Sequence, residues 1–293
     1  MSETKSYSVR YYQGVTKQTE QCTLKVSDIV TGIAEQVAAG EMAPQHSDGE
    51  VYELRDLLSF NNGAVIRGVF AVLRDDAPHI REAAGSEKPI PLAEGDAILE
   101  KNHFLFFKAN QLLVWQVNGR ASHVSRLERY LTSCTDNQCA VLFDDVLSLN
   151  ALDQLTNGVV TRLEFRAAKP RNAELIDPND WESRAFEMMN DSDASIVSVT
   201  VSTRSKQRGL SDRLKGAIHR LLNADTTRKV EIKLRNVEDP IDLMTECLKG
   251  KIVVDMDGLY PNTKQMFSEM QVLKDSHQPA LDAYFGRGNA VLD

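Results

Sequence analysis

The chain has 293 residues and a formal net charge of −8, with 26% charged and 42% hydrophobic residues. This composition is typical of a folded globular protein and excludes extended disorder or a fibrous repeat. No window approaches the roughly 18 consecutive apolar residues that a membrane-spanning helix needs. The start of the chain, MSETKSYSVRYYQ, lacks the basic and apolar regions of a secretory signal. We therefore expect a cytoplasmic protein.

Four cysteines are spread along the chain, at Cys22, Cys134, Cys139 and Cys247. Because the cytosol does not sustain structural disulfides, we expect reduced thiols. The spacing of Cys134 and Cys139 is that of half a zinc site, but no second Cys or His pair follows at ligand spacing. We therefore expect no metal.

The first half of the chain reads mainly as hairpins. A strand is predicted over 6–13, and a helix follows from Ser27 to Gly40, where an N-cap and a C-terminal glycine bracket apolar residues at helical spacing. Two β-rich runs on either side of Asn61-Asn62-Gly63 predict a hairpin. A second hairpin is expected over 98–117, and its nearly unbroken apolar runs predict strands in the middle of a sheet with both faces covered.

A helix capped by Ser122 follows the second hairpin, with one apolar stripe of Val124, Leu127, Tyr130 and Leu131. It is expected to cover the sheet. From Val159 the pattern changes to strands alternating with amphipathic helices. We therefore place a domain boundary here, with an N-terminal β-hairpin and helix domain over 1–158 and a C-terminal α/β domain over 159–293.

Within the second domain, strands are predicted over 159–168, 195–202 and 229–236. A helix over 210–222, with apolar Leu214, Ile218, Leu221 and Leu222, makes the last two strands resemble a βαβ unit. Further elements are helices at 178–189 and 239–249, a strand at 251–258, and a closing helix at 261–285. The fold class expected is α/β in the broad sense (α+β), with mixed, largely antiparallel sheets of hairpins covered by helices.

The stretch from Thr203 to Arg235 reverses the charge of the chain. It holds ten Lys or Arg against three acids, a formal +7, so the rest of the chain sums to −15. A charge split of this kind indicates a polyanionic partner. We call this stretch the basic window and expect its basic side chains to contact DNA phosphates; those predicted to do so are Arg204, Lys206, Arg208, Arg213, Lys215, Arg220, Arg228 and Lys229.

The way in which DNA is bound also follows from the composition of the basic window. It contains no aromatic residue, which favours backbone contact with a duplex over stacking on single-stranded bases. No helix-turn-helix or zinc-finger spacing provides a route to base readout. The expected binding is therefore largely independent of sequence.

Two other function classes remain open. Glu231-Ile232-Lys233 matches the E-x-K part of a metal-dependent nuclease signature, although no upstream acid on a neighbouring strand is evident. Alternatively, the basic window docks an acidic protein surface, which makes the chain an interaction module.

Other chemical motifs are weak. Asp255-Met256-Asp257-Gly258 lacks the later acidic positions of a calcium loop and reads as a strand end. No nucleophile motif or Gly-rich phosphate loop is present in the sequence. We therefore predict no catalytic residues and no cofactor.

The order of elements resembles the RexA-type phage exclusion proteins and, more distantly, the DNA-binding subunit of the Kiwa defence system. The resemblance is carried by four stretches and a long closing helix: HFLFFKANQLLVWQVNGRASHVSRLERYL, RLEFRAA, SIVSVTVSTRSKQRGLSDRLKGAIHRLL and KVEIKLRN. It implies a dimeric, non-enzymatic DNA-binding protein that senses phage and works with a membrane effector.

The closing helix predicts a homodimer independently of this resemblance. Its apolar residues between Pro261 and Phe285 are spread over more than one narrow stripe, so the helix can cover its own domain and still offer apolar surface to a second copy. Pro279 is expected to break or kink it.

Overall fold

The structure is a computed structural model of the whole chain. It describes residues 3–17, 22–41, 45–47, 49–74, 79–93, 95–148, 150–151, 154, 157–168, 183–192, 194–203, 209–211, 218, 221–222, 227–237, 239–258 and 260–291. The fold is α+β with antiparallel sheets and covering helices, which confirms the predicted fold class.

The chain divides into two compact units that alternate along the sequence. The first unit comprises Met1–Phe143 and Lys249–Ser276, and the second comprises Asp144–Leu248 and His277–Asp293. The predicted boundary between residues 158 and 159 does not coincide with this division. The reason is a long-range strand pairing, because the strand that begins at Lys249 returns to the first strand of the chain.

The first unit is built on a nine-stranded sheet in the order β15-β14-β1-β8-β7-β4-β3-β2, with β9 paired to β1. These strands are β1 (Thr4–Lys17), β2 (Gln45–Ser47), β3 (Glu50–Phe60), β4 (Val65–Arg74), β7 (Ile98–Phe107), β8 (Leu112–Val117), β9 (Ala140–Asp145), β14 (Lys249–Asp257) and β15 (Tyr260–Pro261). A separate two-stranded ribbon joins β5 (His79–Arg81) to β6 (Glu87–Pro89). The helices are α1 (Val26–Ala39), α2 (Val124–Ser133) and α4 (Thr263–Ser276).

Both predicted hairpins are confirmed. Strand β3 pairs antiparallel with β4 around a turn in which Asn61, Asn62 and Gly63 all have positive φ. Strand β7 pairs antiparallel with β8 and also with β4, so it lies inside the sheet. Residues 102–106 and 112–116 are buried without interruption, as expected for strands covered on both faces.

One face of this sheet carries the main core under α1 and α2. The ring centroids of Phe70 and Tyr52 are 5.4 Å apart, and those of Phe70 and Tyr130 are 5.5 Å apart. The predicted stripe of α2 is buried here, but its N-cap is His123, whose Nδ1 accepts the N–H of Ser125 at 3.3 Å. The predicted cap, Ser122, instead donates its N–H to Asn102 Oδ1 at 2.9 Å.

The opposite face of the sheet is covered by α4. Phe267 on this helix packs edge-on against His103 of β7, with ring centroids 5.4 Å apart. Lys274 Nζ lies 4.9 Å from the ring centroid of Phe107. The two covered faces explain why the central strands are apolar at successive positions.

The second unit contains a four-stranded sheet in the order β11-β10-β12-β13. Its strands are β10 (Val160–Ala168), β11 (Ile196–Ser202), β12 (Thr227–Leu234) and β13 (Ile241–Asp242), and its helices include α3 (Ser183–Ser192) and α5 (Gln278–Val291). Strands β11 and β12 are both antiparallel to β10, which lies between them. They are therefore parallel to each other but not adjacent, so the predicted βαβ unit is split by a third strand.

Described residues of the predicted helix over 210–222 support its apolar stripe. Ile218, Leu221 and Leu222 are buried, whereas Leu214 lies outside the described residues. The predicted helix over 239–249 is wrong. Ile241 instead pairs with Ile232 to extend the sheet, and Asp242 Oδ1 accepts the N–H of Met244 at 3.0 Å in a turn.

The predicted closing helix over 261–285 is two helices, with the break at His277. The His277 carbonyl accepts the N–H groups of Ala280 and Leu281 at the start of α5. Pro279 lies in the first turn of α5, where a missing N–H costs no helical hydrogen bond. The break separates the two units, since α4 belongs to the first and α5 to the second.

Cys22 and Cys139 form a disulfide, with their Cα atoms 5.1 Å apart and a sequence separation of 117. The expectation of four reduced thiols is therefore wrong. The pairing is invisible in the sequence because β1 and β9 are brought together only by the sheet. Cys134 and Cys247 are not disulfide-bonded. Because Cys139 is bonded to Cys22, Cys134 and Cys139 do not provide two thiolates to a metal.

Candidate functional site

Most of the predicted DNA contacts fall outside the part of the chain that the structure describes. Those residues are Arg204, Lys206, Arg208, Arg213, Lys215 and Arg220, together with the side chain of Arg228. Lys229 is described. It lies on β12 and shows how the end of the basic window is built into the second unit.

Lys229 is held by two carboxylates on the sheet. Its Nζ lies 2.9 Å from Glu231 Oε1 on the same strand and 3.2 Å from Glu164 Oε1 on β10. The hydrogen bond that Lys229 donates to Glu231 is the largest cause of the raised pKa of Lys229. In turn, the hydrogen bond from Lys229 lowers the pKa of Glu164. Lys229 is therefore neutralised locally and is a poorer phosphate contact than the sequence predicts.

The surroundings of Lys229 form one polar surface, which we call the charged sheet face. Residues directly opposite each other on β10 and β12 have their side chains on the same face of the sheet. The residues between them in sequence, Leu163, Phe165 and Ile232, are buried on the opposite face. The charged side chains of this face are Arg162, Glu164, Arg166, Lys229, Glu231, Lys233 and Asp242. Four are basic and three acidic, so the face has a formal charge of only +1.

This face supplies the acid that the nuclease alternative lacked. Glu231 on β12 lies between two acids: Glu164 on β10 is directly opposite it on one side, and Asp242 on β13 is directly opposite it on the other. Lys229, however, bonds both glutamates. Among the described residues, no group of three or more His, Cys, Asp or Glu side chains is arranged to hold a metal ion. The described geometry therefore does not assemble a metal-dependent nuclease.

Asp255 and Asp257 end a strand, as expected. Strand β14 runs to Asp257, and Gly258 follows with a φ of 64°. Asp257 Oδ2 accepts a hydrogen bond from Asn262 Nδ2 at 2.9 Å. This places the Asp-Met-Asp-Gly stretch in a turn rather than in a cation loop.

A second site lies in the first unit, where a pocket of about 210 Å³ opens between the start of β3, the end of β4 and the start of α2. We call it the arginine pocket. Three arginines are among its lining residues, Arg74 at the end of β4 and Arg120 and Arg126 around the α2 N-terminus. Glu50, Tyr52, Val72 and Ser122 are also part of its lining.

The floor of the arginine pocket is fixed by the core. Tyr52 and Val72 are cross-strand partners and are 1% and 4% exposed. The Tyr52 hydroxyl donates to the Glu50 carboxylate, and the Arg126 guanidinium carbon lies 6.0 Å from the Tyr52 ring centroid. Burial is the largest cause of the raised pKa of Tyr52, so the phenol stays protonated and acts as a donor.

A comparison with protein families matches residues 4–276 to DUF6731, which is described as a family of unknown function. The chain belongs to DUF6731. The matched range covers residues of both units and ends with α4. No curated protein matches this DUF6731 chain.

Sequence reasoning missed the arginine pocket in this DUF6731 chain. Arg120 and Arg126 flank the start of a predicted helix, which was a local signal, but Arg74 joins them only through the packing of α2 beside β3 and β4. Among the helices described, none is both long enough and apolar enough to cross a membrane.

Proposed function

We propose that this DUF6731 protein is a non-enzymatic DNA-binding protein that contacts the duplex backbone largely without sequence specificity. The observation that carries the proposal is the basic window, with a formal +7 in a chain of −8. Clustered Lys and Arg bind phosphates and release counterions, a contribution that does not depend on base sequence.

The described residues refine which side chains make these contacts. Lys229 bonds Glu164 and Glu231, so it contributes little. The charged sheet face as a whole is nearly neutral. The proposal therefore assigns the phosphate contacts to the other seven predicted residues, with Arg204 and Arg208 as the first to test.

The resemblance to RexA-type proteins supports the same function and adds a biological setting. On this proposal the protein acts in phage exclusion or anti-phage defence, as a homodimer and alongside a membrane effector. The defence role and the membrane effector follow from the resemblance alone, whereas the homodimer is also predicted from the closing helix; all three go beyond the family description.

The experiment is a titration of duplex DNA at several salt concentrations. The logarithm of the binding constant is expected to fall steeply with the logarithm of the salt concentration, by about 0.9 per phosphate contact. The double variant Arg204→Gln/Arg208→Gln is expected to lower this slope by about 2. Lys229→Gln is the matched control, because it also removes positive charge from the basic window but at a residue that bonds Glu164 and Glu231. Its salt dependence of binding is expected to be close to that of the unmodified protein.

Failure of the proposal has a clear form. Absence of duplex binding even at about 50 mM salt would exclude it, because nonspecific affinity is greatest at low salt. Equal loss of slope in Lys229→Gln and the arginine variant would show that the contacts are wrongly assigned.

The same samples test the two alternatives. DNA is incubated with the protein and magnesium or manganese, and no cleavage is expected. Cleavage that disappears in Glu231→Gln would establish the nuclease alternative instead. Salt-sensitive self-association without DNA binding would support the interaction module that docks an acidic surface.

A further inference from the structure

We infer that the arginine pocket binds the phosphate group of a small phosphorylated molecule. This site is in the first unit and is independent of the DNA contacts proposed for the second. The inference rests on three features of the pocket: its charge, its preformed floor and its size.

The charge of the pocket is opposite to that of the chain. The lining residues include three arginines, Arg74, Arg120 and Arg126, and one carboxylate, that of Glu50, so the lining has a formal charge of +2 in a chain of −8. A guanidinium group presents a planar fork of donors that matches phosphate oxygens in pairs. Three such groups around one cavity favour a dianionic, tetrahedral ligand over a single carboxylate.

The floor of the pocket is rigid before a ligand arrives. Tyr52 packs on Phe70 at 5.4 Å between centroids with their rings nearly parallel, so its hydroxyl is fixed at the edge of the core. Ser122 is 7% exposed, and its N–H is fixed by Asn102 Oδ1. A preformed site avoids part of the cost of ordering side chains on binding.

The α2 helix adds to the positive potential. Its N-terminus follows Ser122 and His123, which line the pocket. The dipole at a helix N-terminus attracts negative charge within the first turn. This contribution reinforces the arginines and is not needed to define the site.

The size of the pocket limits the ligand. About 210 Å³ is below the roughly 300–1,000 Å³ of pockets that enclose drug-sized ligands. One phosphate group with a small adjoining substituent fits such a volume, and the rest of a larger molecule has to lie outside. Orthophosphate and a mononucleotide share this chemistry, so both serve as probes.

The test is isothermal titration of the full chain with sodium phosphate and, separately, with adenosine monophosphate. Ionic strength is held constant with sodium chloride so that simple screening is the same throughout. Saturable binding of phosphate is expected. Tighter binding of adenosine monophosphate than of phosphate would show that the protein also contacts the group attached to the phosphate. Equal affinity would mean that the phosphate group alone is recognised.

Three variants make the assignment specific. Arg120→Gln is expected to weaken phosphate binding by about tenfold or more, the usual loss for one charged hydrogen-bond donor. Arg120 is exposed, so the variant is expected to fold normally, which its melting temperature checks. Glu50→Gln is expected to tighten binding, because it removes the carboxylate that competes for the arginines and keeps an acceptor for Tyr52.

Arg55→Gln is the matched control. Arg55 is exposed on β3, three positions from Tyr52 and on the opposite face of the strand, where it pairs with Glu53 at 2.6 Å. Unchanged phosphate affinity is expected. Opposite effects of Arg120→Gln and Glu50→Gln, with none from Arg55→Gln, cannot arise from altered folding.

Two outcomes overturn the inference. One is the absence of saturable binding by both probes in a folded protein. The other is a loss of DNA affinity in Arg120→Gln without phosphate binding, since that result would place the arginines in a DNA-binding surface rather than in a small-molecule site.

Discussion

At the scale of single residues, His103 is a buried neutral histidine. Its Nδ1 lies 2.8 Å from Gln116 Oε1, which also accepts the His103 N–H at 3.0 Å, so the proton is on Nδ1. Nε2 has no hydrogen-bond partner among the described residues. Burial is the main cause of its lowered pKa, and the nearby charges of Lys101 and Asp56 act in opposite directions.

The lowered pKa of His103 predicts a loss of stability in acid. Unfolded His103 takes up a proton near its ordinary pKa of about 6.5, whereas the folded form resists protonation. The contribution of neutral His103 to the free energy of unfolding is therefore fully present above about pH 6.5. It is lost as the pH falls toward the pKa of the folded form, by at most about 1.4 kcal/mol per pH unit. His103→Phe is expected to flatten this slope in urea unfolding between about pH 7 and pH 5.

His79 provides the control, because it is an exposed histidine of the same unit. His79→Gln is expected to keep the full acid dependence. Part of the slope is expected to survive in His103→Phe, since burial also lowers the pKa of His277. An acid dependence that is identical in both variants would show that His103 does not titrate on unfolding.

At the scale of elements, the disulfide joins the segment after β1 to the residue just before β9. Both sulfurs are buried, with Cys22 and Cys139 at 1% and 2% exposure. Closing so long a loop restricts the unfolded chain, and removal of a native disulfide typically costs about 2–5 kcal/mol. Cys22→Ala/Cys139→Ala is expected to lose stability of this order in urea unfolding, and a reducing agent is expected to have no further effect on that variant.

Thiol counting checks the pairing itself. The denatured, unreduced protein is expected to expose two thiols, those of Cys134 and Cys247, and the reduced protein four. In the folded protein, burial raises the pKa of Cys134 to about 11, so it is expected to react slowly with alkylating agents. Four reactive thiols before reduction would contradict the disulfide.

The elements also show which parts of the fold a sequence predicts. The hairpins depend on neighbours in the chain, such as the Asn61-Asn62-Gly63 turn, and local signals were sufficient for them. The helix predicted over 239–249 fails because Ile241 gains a ladder with Ile232, a tertiary contact that overrides helical spacing.

Long-range pairings account for the remaining misses at the candidate sites. The acid opposite Glu231 is Glu164, which a motif search along the chain does not connect to it. Arg74 reaches the other arginines of the pocket only through the packing of α2. In both cases the residue types are visible in the sequence, but their juxtaposition depends on strand register in the first case and on helix packing in the second.

At the scale of the whole molecule, the chain crosses between its two units more than once. Thr4 at the start of β1 pairs with Asp255 of β14. The sheet of the first unit is therefore completed by a segment that follows residues 144–248 of the second unit in sequence. The helix break at His277 then returns the chain to the second unit. This interleaving changes how the predicted homodimer has to be tested.

The homodimer was expected to form through the closing helix, and it stays a prediction. Cutting the chain before Pro279 would remove Leu281 and Tyr284, which are 1% exposed, so the truncation would damage the second unit rather than test an interface. Point variants on exposed apolar residues avoid this problem. Val272 on α4 is 60% exposed and is the strongest apolar candidate on that helix.

We expect sedimentation at micromolar concentration to show a dimer for the full chain and a monomer for Val272→Glu, because a charge buried without a partner in an interface is costly. Leu58→Glu is the matched control, since Leu58 is an apolar residue of β3 with a similar exposure of 53%. It is expected to remain dimeric. A monomeric full-length protein would refute the dimer, and a dimer that survives Val272→Glu would place the interface away from this face of α4.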